Sequence, residues 1–328
     1  MNKVHSHVWS KATNSWVVVP EGTKSNSKAG SKKLRGILAL LLFSPAAVMA
    51  ATLPQGGQIA IGEGTIVNVG SSQLTIKQIS DKLGVNWQSF NIGADGKVVF
   101  EQPGSKSVAL NRVLGSDGSS IMGKIESNGQ VFIINPNGVI FGKSSQVNVG
   151  GLVASALDLT DTDFQAGNYK FATGSKAGAV VNQGTLQASQ GGYVALIGKS
   201  VRNEGVIAAR LGTVAMAAGD AVSMDFAGDG LINLHVGKAA IGALVDNRGL
   251  IVADGGSVLM TARAANAITE AVVNNDGIIQ ARTLNMRAGK IMLDGGPVDG
   301  SGVVAVGGTL ESLCLELMPA TTTSTFLH

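Results

Sequence analysis

From about residue 58 onward, apolar and polar positions alternate in short runs separated by glycine, asparagine and serine. "QIAIGEGTIVNVGSSQLTIKQ" (58–78) has this form, and a period of two predicts strands rather than helices. Beyond residue 175 the alternation becomes a repeat. "NQGTLQASQGGYVALIG", "NEGVIAARLGTVAMAAG", "NRGLIVADGGSVLMTAR" and "NDGIIQARTLNMRAG" begin at Asn182, Asn203, Asn247 and Asn275, at spacings of 21, 44 and 28 residues. Self-similarity at about 20 residues marks a solenoid. The Leu-x-x-Leu-x-Leu framework of leucine-rich repeats is missing, so the expected fold is all-β, a parallel β-helix of roughly 20-residue coils. Alternate Val, Ile, Leu and Ala point into its core, and the four turn asparagines stack their amides coil on coil. The 44-residue gap is expected to hold two coils, the second being the less regular "MDFAGDGLINLHVGKAA". An uncovered solenoid end is an aggregation edge, so residues 58–78 are expected to form a β cap with the first coil.

One stretch departs from simple alternation. In "VFIINPNGVIFG" two β-rich runs, 131–134 and 139–141, flank Asn135-Pro136-Asn137-Gly138. Proline pre-sets φ and Asn-Gly tolerates φ > 0, so the insert reads as a tight corner. Its role is either structural or as a mark read by another protein.

Composition supports repetitive β-structure. The 328 residues include 45 glycines, with only 14% charged and 4% aromatic residues. The net charge of +3 divides unevenly. Residues 1–50 hold seven Lys/Arg against one acid, leaving 18 basic and 21 acidic residues, a balance of −3, in the remainder. That remainder carries no nucleic-acid footprint. Cys314 is the one cysteine, so an intrachain disulfide is impossible.

The first fifty residues read as a targeting segment. Lys28, Lys32, Lys33 and Arg35 precede the apolar run of 37–43, and Val48 and Ala50 occupy −3 and −1 of a cleavage site before Ala51. The run is too short to span a bilayer. Residues 26–50 are the signal proper, and 1–25 form a prefix that resembles the extended signal-peptide region of large Gram-negative exported proteins.

From residue 85 to 155, "NWQSFNIG", "VVFEQP", "ALNRV", "SSIMGKI", "NGQVFIINPNGVIFG" and "VNVGGLVAS" follow one another. This ordered set resembles the N-terminal secretion domain of two-partner-secretion (TpsA-type) exoproteins of the filamentous haemagglutinin kind. The resemblance implies a right-handed parallel β-helix over residues 52–308. It also implies export by the general secretion machinery, recognition in the periplasm by a TpsB-type outer-membrane β-barrel transporter, and folding at the cell surface. Two motifs carry over as secretion, partner-recognition or early-folding elements: Asn111, Arg112 and Val113, and Asn135, Pro136, Asn137 and Gly138. Only one Asn-Pro-Asn motif is present, whereas some branches of the family have two.

Reactive chemistry is sparse. His235 is the only histidine outside the first fifty residues and the last position, and its strand context makes it an outward residue rather than a base. "GVIFGKSS" and "GYVALIGKS" miss the glycine spacing of a phosphate loop. "DLTDTD" (158–163) reads as a solvated turn rather than a Ca²⁺ loop. Asp225, Asp229 and Lys238 are the nearest set for a polysaccharide-active β-helix enzyme. The leading expectation is a non-enzymatic adhesin export domain with no cofactor and no metal, and with host cells or other bacteria as further partners. The alternatives are a contact-dependent toxin or a haem-acquisition exoprotein, headed by the same module. Residues 309–328 drop the coil pattern and are expected to be an irregular tail left by truncation or frameshift.

Overall fold

Residues 97–141 show how the alternation closes into coils. Lys97–Glu101, Val108–Val113 and Ser119–Ile121 form one turn around a narrow core, and Lys124–Ser127, Gln130–Ile134 and Val139–Phe141 form the next. Each strand of the second coil pairs in parallel with its counterpart in the first. The protein is therefore a three-faced parallel β-helix. This computed structural model describes residues 5–10, 15–20, 52–174, 176, 178–226, 231–265, 271–284, 287–296 and 303–318.

The chain divides into two units, 1–48 and 49–328. In the first, His5–Ser10 and Ser15–Pro20 form an antiparallel pair. The signal segment at 21–50 and its cleavage site at Ala50 and Ala51 lie outside the described residues. In the second unit, Gln58–Ile61 and Gly64–Val69 run antiparallel to Lys82–Trp87 and Gln73–Gln78 and cover the N-terminal end of the solenoid. Antiparallel strands cannot continue a parallel stack, so they act as a cap.

Inward residues of all three faces form one continuous core, from Leu74 and Ile76 to Val304 and Val306. Each buried aliphatic side chain stabilises the stack by about 1.5–3 kcal/mol. Where faces meet, buried asparagines satisfy the turn. Asn182 Nδ2 donates to Asn203 Oδ1, Asn203 to Asn247 and Asn247 to Asn275, at 2.8, 2.8 and 2.6 Å. All four are fully buried, so a break in this ladder strands buried amide groups, a loss of about 1–3 kcal/mol each.

Two segments leave the helix, and both depart from the sequence-based expectation. Ser200–Asn203 pairs directly with Leu244–Asn247, and Thr213–Ala218 directly with Ser257–Ala262. The 44-residue gap therefore holds one coil, not two. Its surplus forms the antiparallel hairpin Ala221–Phe226 and Ile232–Lys238, which joins Tyr169–Ala172 and Asp158–Leu159 in a four-stranded sheet outside the solenoid. Alternation alone could not separate a coil strand from a covering strand, because both bury one face. Here Val222, Met224, Ile232, Leu234 and Val236 bury against the outer side of the solenoid, in a second core with Leu110, Phe132, Ile134, Ala195 and Ala217. This is why residues 131–134 are apolar without a break: Val131 and Ile133 face the inner core, and Phe132 and Ile134 face the outer one.

At the other end, Thr309–Ser312 and Cys314–Met318 pair in parallel with Ile278–Ala281 and Lys290–Asp294. The expectation of an irregular tail fails for 309–318, which form a further rung. Leu315 and Leu317 lie in register with the core residues Ile291 and Leu293, and Leu310 with Ile279, whereas the exposed Leu313 sits between the two strands and interrupts the alternation. Residues 319–328 lie outside the described residues.

Candidate functional site

The two sequence motifs are neighbours. Gln130–Ile134 pairs with Val108–Val113 so that Asn111 faces Ile133 and Arg112 faces Ile134. Asn135 continues directly from that strand. The site is thus a corner shared by consecutive coils near the capped end.

Asn111 and Val113 point inward and Arg112 outward, as strand alternation requires. Asn111 is buried. Its Oδ1 accepts from Trp87 Nε1 at 3.0 Å, and its Nδ2 donates to the carbonyls of Ala109 and Phe132, each at 3.2 Å. A polar side chain in an apolar coil is tolerable only when satisfied in this way. Val113 packs in the inner core.

Arg112 reaches across the outer surface to the first excursion. Its Nε contacts Asp158 Oδ1 at 3.2 Å, and it also bonds Asp161 and the carbonyl of Leu159. A one-turn helix, Asp161–Ala166, follows, capped by Thr160 and ended by Gly167 in the left-handed conformation. Lys82, on the preceding coil, donates to the Phe164 and Gln165 carbonyls at 3.0 and 2.8 Å. A cation at the carbonyl end of a helix turn is favourably placed. "DLTDTD" is half-exposed, as a solvated turn requires, and is in addition clamped by Arg112. Beneath it Phe132 meets Tyr169 and Phe164 edge-on, with ring centroids 5.2 and 6.4 Å apart. Tyr193, buried nearby, has its phenol pushed well above the usual range by burial and then by Tyr169, and donates to Gln130 Oε1 at 2.6 Å.

The Asn-Pro-Asn-Gly corner is internally saturated. Asn135 Oδ1 accepts from the Asn137 backbone N–H at 2.9 Å, and Gly138 N–H donates to the Asn135 carbonyl at 2.9 Å, closing a turn around Pro136. Gly138 has φ of 111°, where a side chain would be strained. The corner ties the coil before it: Asn135 Nδ2 donates to Asp117 O and Ser119 Oγ, both at 3.0 Å, and Asn137 Nδ2 to Gly115 O at 2.9 Å. It also ties the coil after it. Asn135 N–H reaches Ser155 O, the Pro136 carbonyl accepts from Gly178 N–H, and Lys176 Nζ donates to Asn137 Oδ1 at 2.8 Å.

The other candidates do not converge. His235 is exposed opposite Ser223, Asp225 faces Asn233, and Lys238 pairs with Ala221 at the hairpin base; Asp229 lies outside the described residues. Among the described residues no group of three His, Cys, Asp or Glu side chains is arranged to hold a metal. What sequence reasoning missed is the pairing of Trp87 with Asn111, of Lys82 with the 164–165 carbonyls, of Asp158 and Asp161 with Arg112, and of Lys176 with Asn137. These pairs lie 24 to 83 residues apart, beyond the reach of any local pattern.

Comparison with known proteins agrees with this architecture. A family profile described as "TPS secretion domain" matches residues 50–306, and one described as "Extended Signal Peptide of Type V secretion system" matches residues 1–50. The chain is similar to a Heme/hemopexin-binding protein of Haemophilus influenzae strain Rd, 34% identical over 251 residues, covering 74% of this chain and 27% of the relative. A second Heme/hemopexin-binding protein of Haemophilus influenzae is 39% identical over 149 residues, 45% of this chain and 16% of that one. The chain thus spans about a quarter or less of the length of these curated relatives. The solved HMW1 secretion domain from Haemophilus influenzae superimposes with a TM-score of 0.72 at 30% identity, covering 80% of this chain and 69% of that one.

Proposed function

Since this chain belongs to the TPS secretion domain family, we propose that it heads a longer TpsA-type exoprotein and drives that protein's export by folding outside the cell. The signal extension and the TPS domain indicate Sec export and secretion to the cell surface or beyond, with a TpsB outer-membrane transporter as the implied partner. The observation that carries the folding mechanism is the corner at residues 135–138. Its bonds reach residues 115–119 on one side and 155–178 on the other, so it closes only once both neighbours are available. Each rung closed outside opposes backward slippage, because coil stacking is a nearest-neighbour stabilisation. Deletion of residues 135–138, with the transporter co-expressed, is expected to leave the protein in the periplasm. Undiminished export would overturn the proposal.

For the whole exoprotein we favour haem acquisition over adhesion or toxin delivery, because two curated relatives bear the name heme/hemopexin-binding protein. Disrupting the gene is then expected to abolish growth on haem–haemopexin as the iron source while leaving growth on free iron intact. Equal growth on both would refute this reading.

A further inference from the structure

A shallow groove of about 540 Å³ crosses the outer surface of the middle coils, and nothing in the export reading uses it. Its floor and one wall are apolar: Ala208, Val252 and Leu284. Its rim carries Gln187, Gln190 and Arg210. The Gln187, Ala208 and Val252 positions are consecutive in register on one sheet, so the floor is a flat strip of small side chains.

Arg210 is held in place by its own backbone. Its carbonyl accepts from Gly191 N–H at 2.9 Å, and the next residue, Leu211, donates to Asp254 O at 2.8 Å. Leu211 has φ of 55°, the only positive φ at a non-glycine among the described residues. The corners above and below use Gly191 and Gly255 for the same left-handed turn, at φ of 77° and 68°. A leucine there costs about 1–2 kcal/mol relative to a relaxed backbone, and such strain concentrates where position matters.

Among the described residues the guanidinium of Arg210 makes no direct pair, although its charge adds to that of Arg282 in lowering the Asp254 carboxyl. Asp254, the nearby carboxylate, is taken by Arg282, with Nε to Oδ1 at 3.0 Å and Nη2 to Oδ2 at 2.8 Å. Those bonds hold the Asp254 carboxyl below the usual carboxylate range. Among the described residues no hydrogen bond or ion pair engages the side chains of Arg210, Gln187 or Gln190, and all three are exposed.

We propose that this groove binds an acidic oligosaccharide, with a uronate carboxylate on Arg210. A guanidinium matches a carboxylate with two parallel bonds. The glutamine amides both donate and accept, as sugar hydroxyls require, and the flat strip of Ala208 and Val252 suits the apolar face of a pyranose ring. The volume lies within the range of small-ligand sites.

The test titrates exported protein from the culture medium with trigalacturonate at low ionic strength. Saturable binding is expected, with neutral maltotriose at least about tenfold weaker. Arg210→Gln should cost about tenfold or more in affinity, the effect of losing one charge-assisted pair, without shifting the thermal unfolding midpoint. Absence of saturable binding overturns the proposal. So does equal affinity for maltotriose, an unaffected Arg210→Gln variant, or equal affinity for hexaglutamate, which would make the groove a site for acidic peptide.

Discussion

Replacing Asn135 by alanine is expected to lower equilibrium stability by about 2–4 kcal/mol and to cut the exported amount by about tenfold or more. The side chain is fully buried and makes four hydrogen bonds, two donated to the preceding coil and two accepted from Asn137. Alanine leaves Asp117 O, Ser119 Oγ and Asn137 N–H without these partners; Ser119 is buried, and its uncompensated hydroxyl together with the cavity left by the amide makes the loss large. Lys176→Ala serves as control. It removes an exposed donor to the same turn and is expected to change stability by less than about 0.5 kcal/mol. Urea midpoints on secreted protein, with immunoblots of periplasm and medium, measure both effects. A variant that keeps wild-type stability yet fails to leave the periplasm would show that the corner is read by the transporter rather than needed by the fold.

Arg112→Ala is expected to loosen the outer sheet without unravelling the coils. Arg112 retains 13% side-chain exposure, whereas Asp158 and Asp161 retain 47% and 46%. Solvent therefore screens the pairs, and the expected loss is about 1–3 kcal/mol rather than that of a fully buried network. Its location is more informative than its size. Amide hydrogen exchange should accelerate across residues 158–172, where the clamp acts, and change little in the inner strands. Arg112→Lys should rescue only part, because an ammonium cannot present the fork that reaches two carboxylates and the Leu159 carbonyl together. Uniform exchange across both regions would refute the clamp and make Arg112 an ordinary surface residue.

Together the two variants separate the roles of adjacent motifs. Asn111 and Asn135 hold successive coils from within, while Arg112 fastens the chain's first excursion back onto coils laid down 46 to 49 residues earlier. For a chain that enters the medium N-terminus first, the clamp can form only after the Asn-Pro-Asn-Gly corner has emerged.

The repeat of alternating residues after Asn182 was enough to predict strands, a solenoid and a buried asparagine ladder, because each depends on spacing within one coil and on identity between coils. The turn at Pro136 and Gly138 was likewise readable, since a fixed φ and a positive φ are local demands. Three features required the folded chain: the single coil with its outward hairpin at 221–238, the extra rung at 309–318, and the partners of Arg112 and Lys82. A strand that covers a sheet and a strand that extends one share the same period of two. Which of them a segment becomes depends on whether its apolar side meets the inner core or the outer surface around Phe132, and that surface exists only once distant coils have stacked.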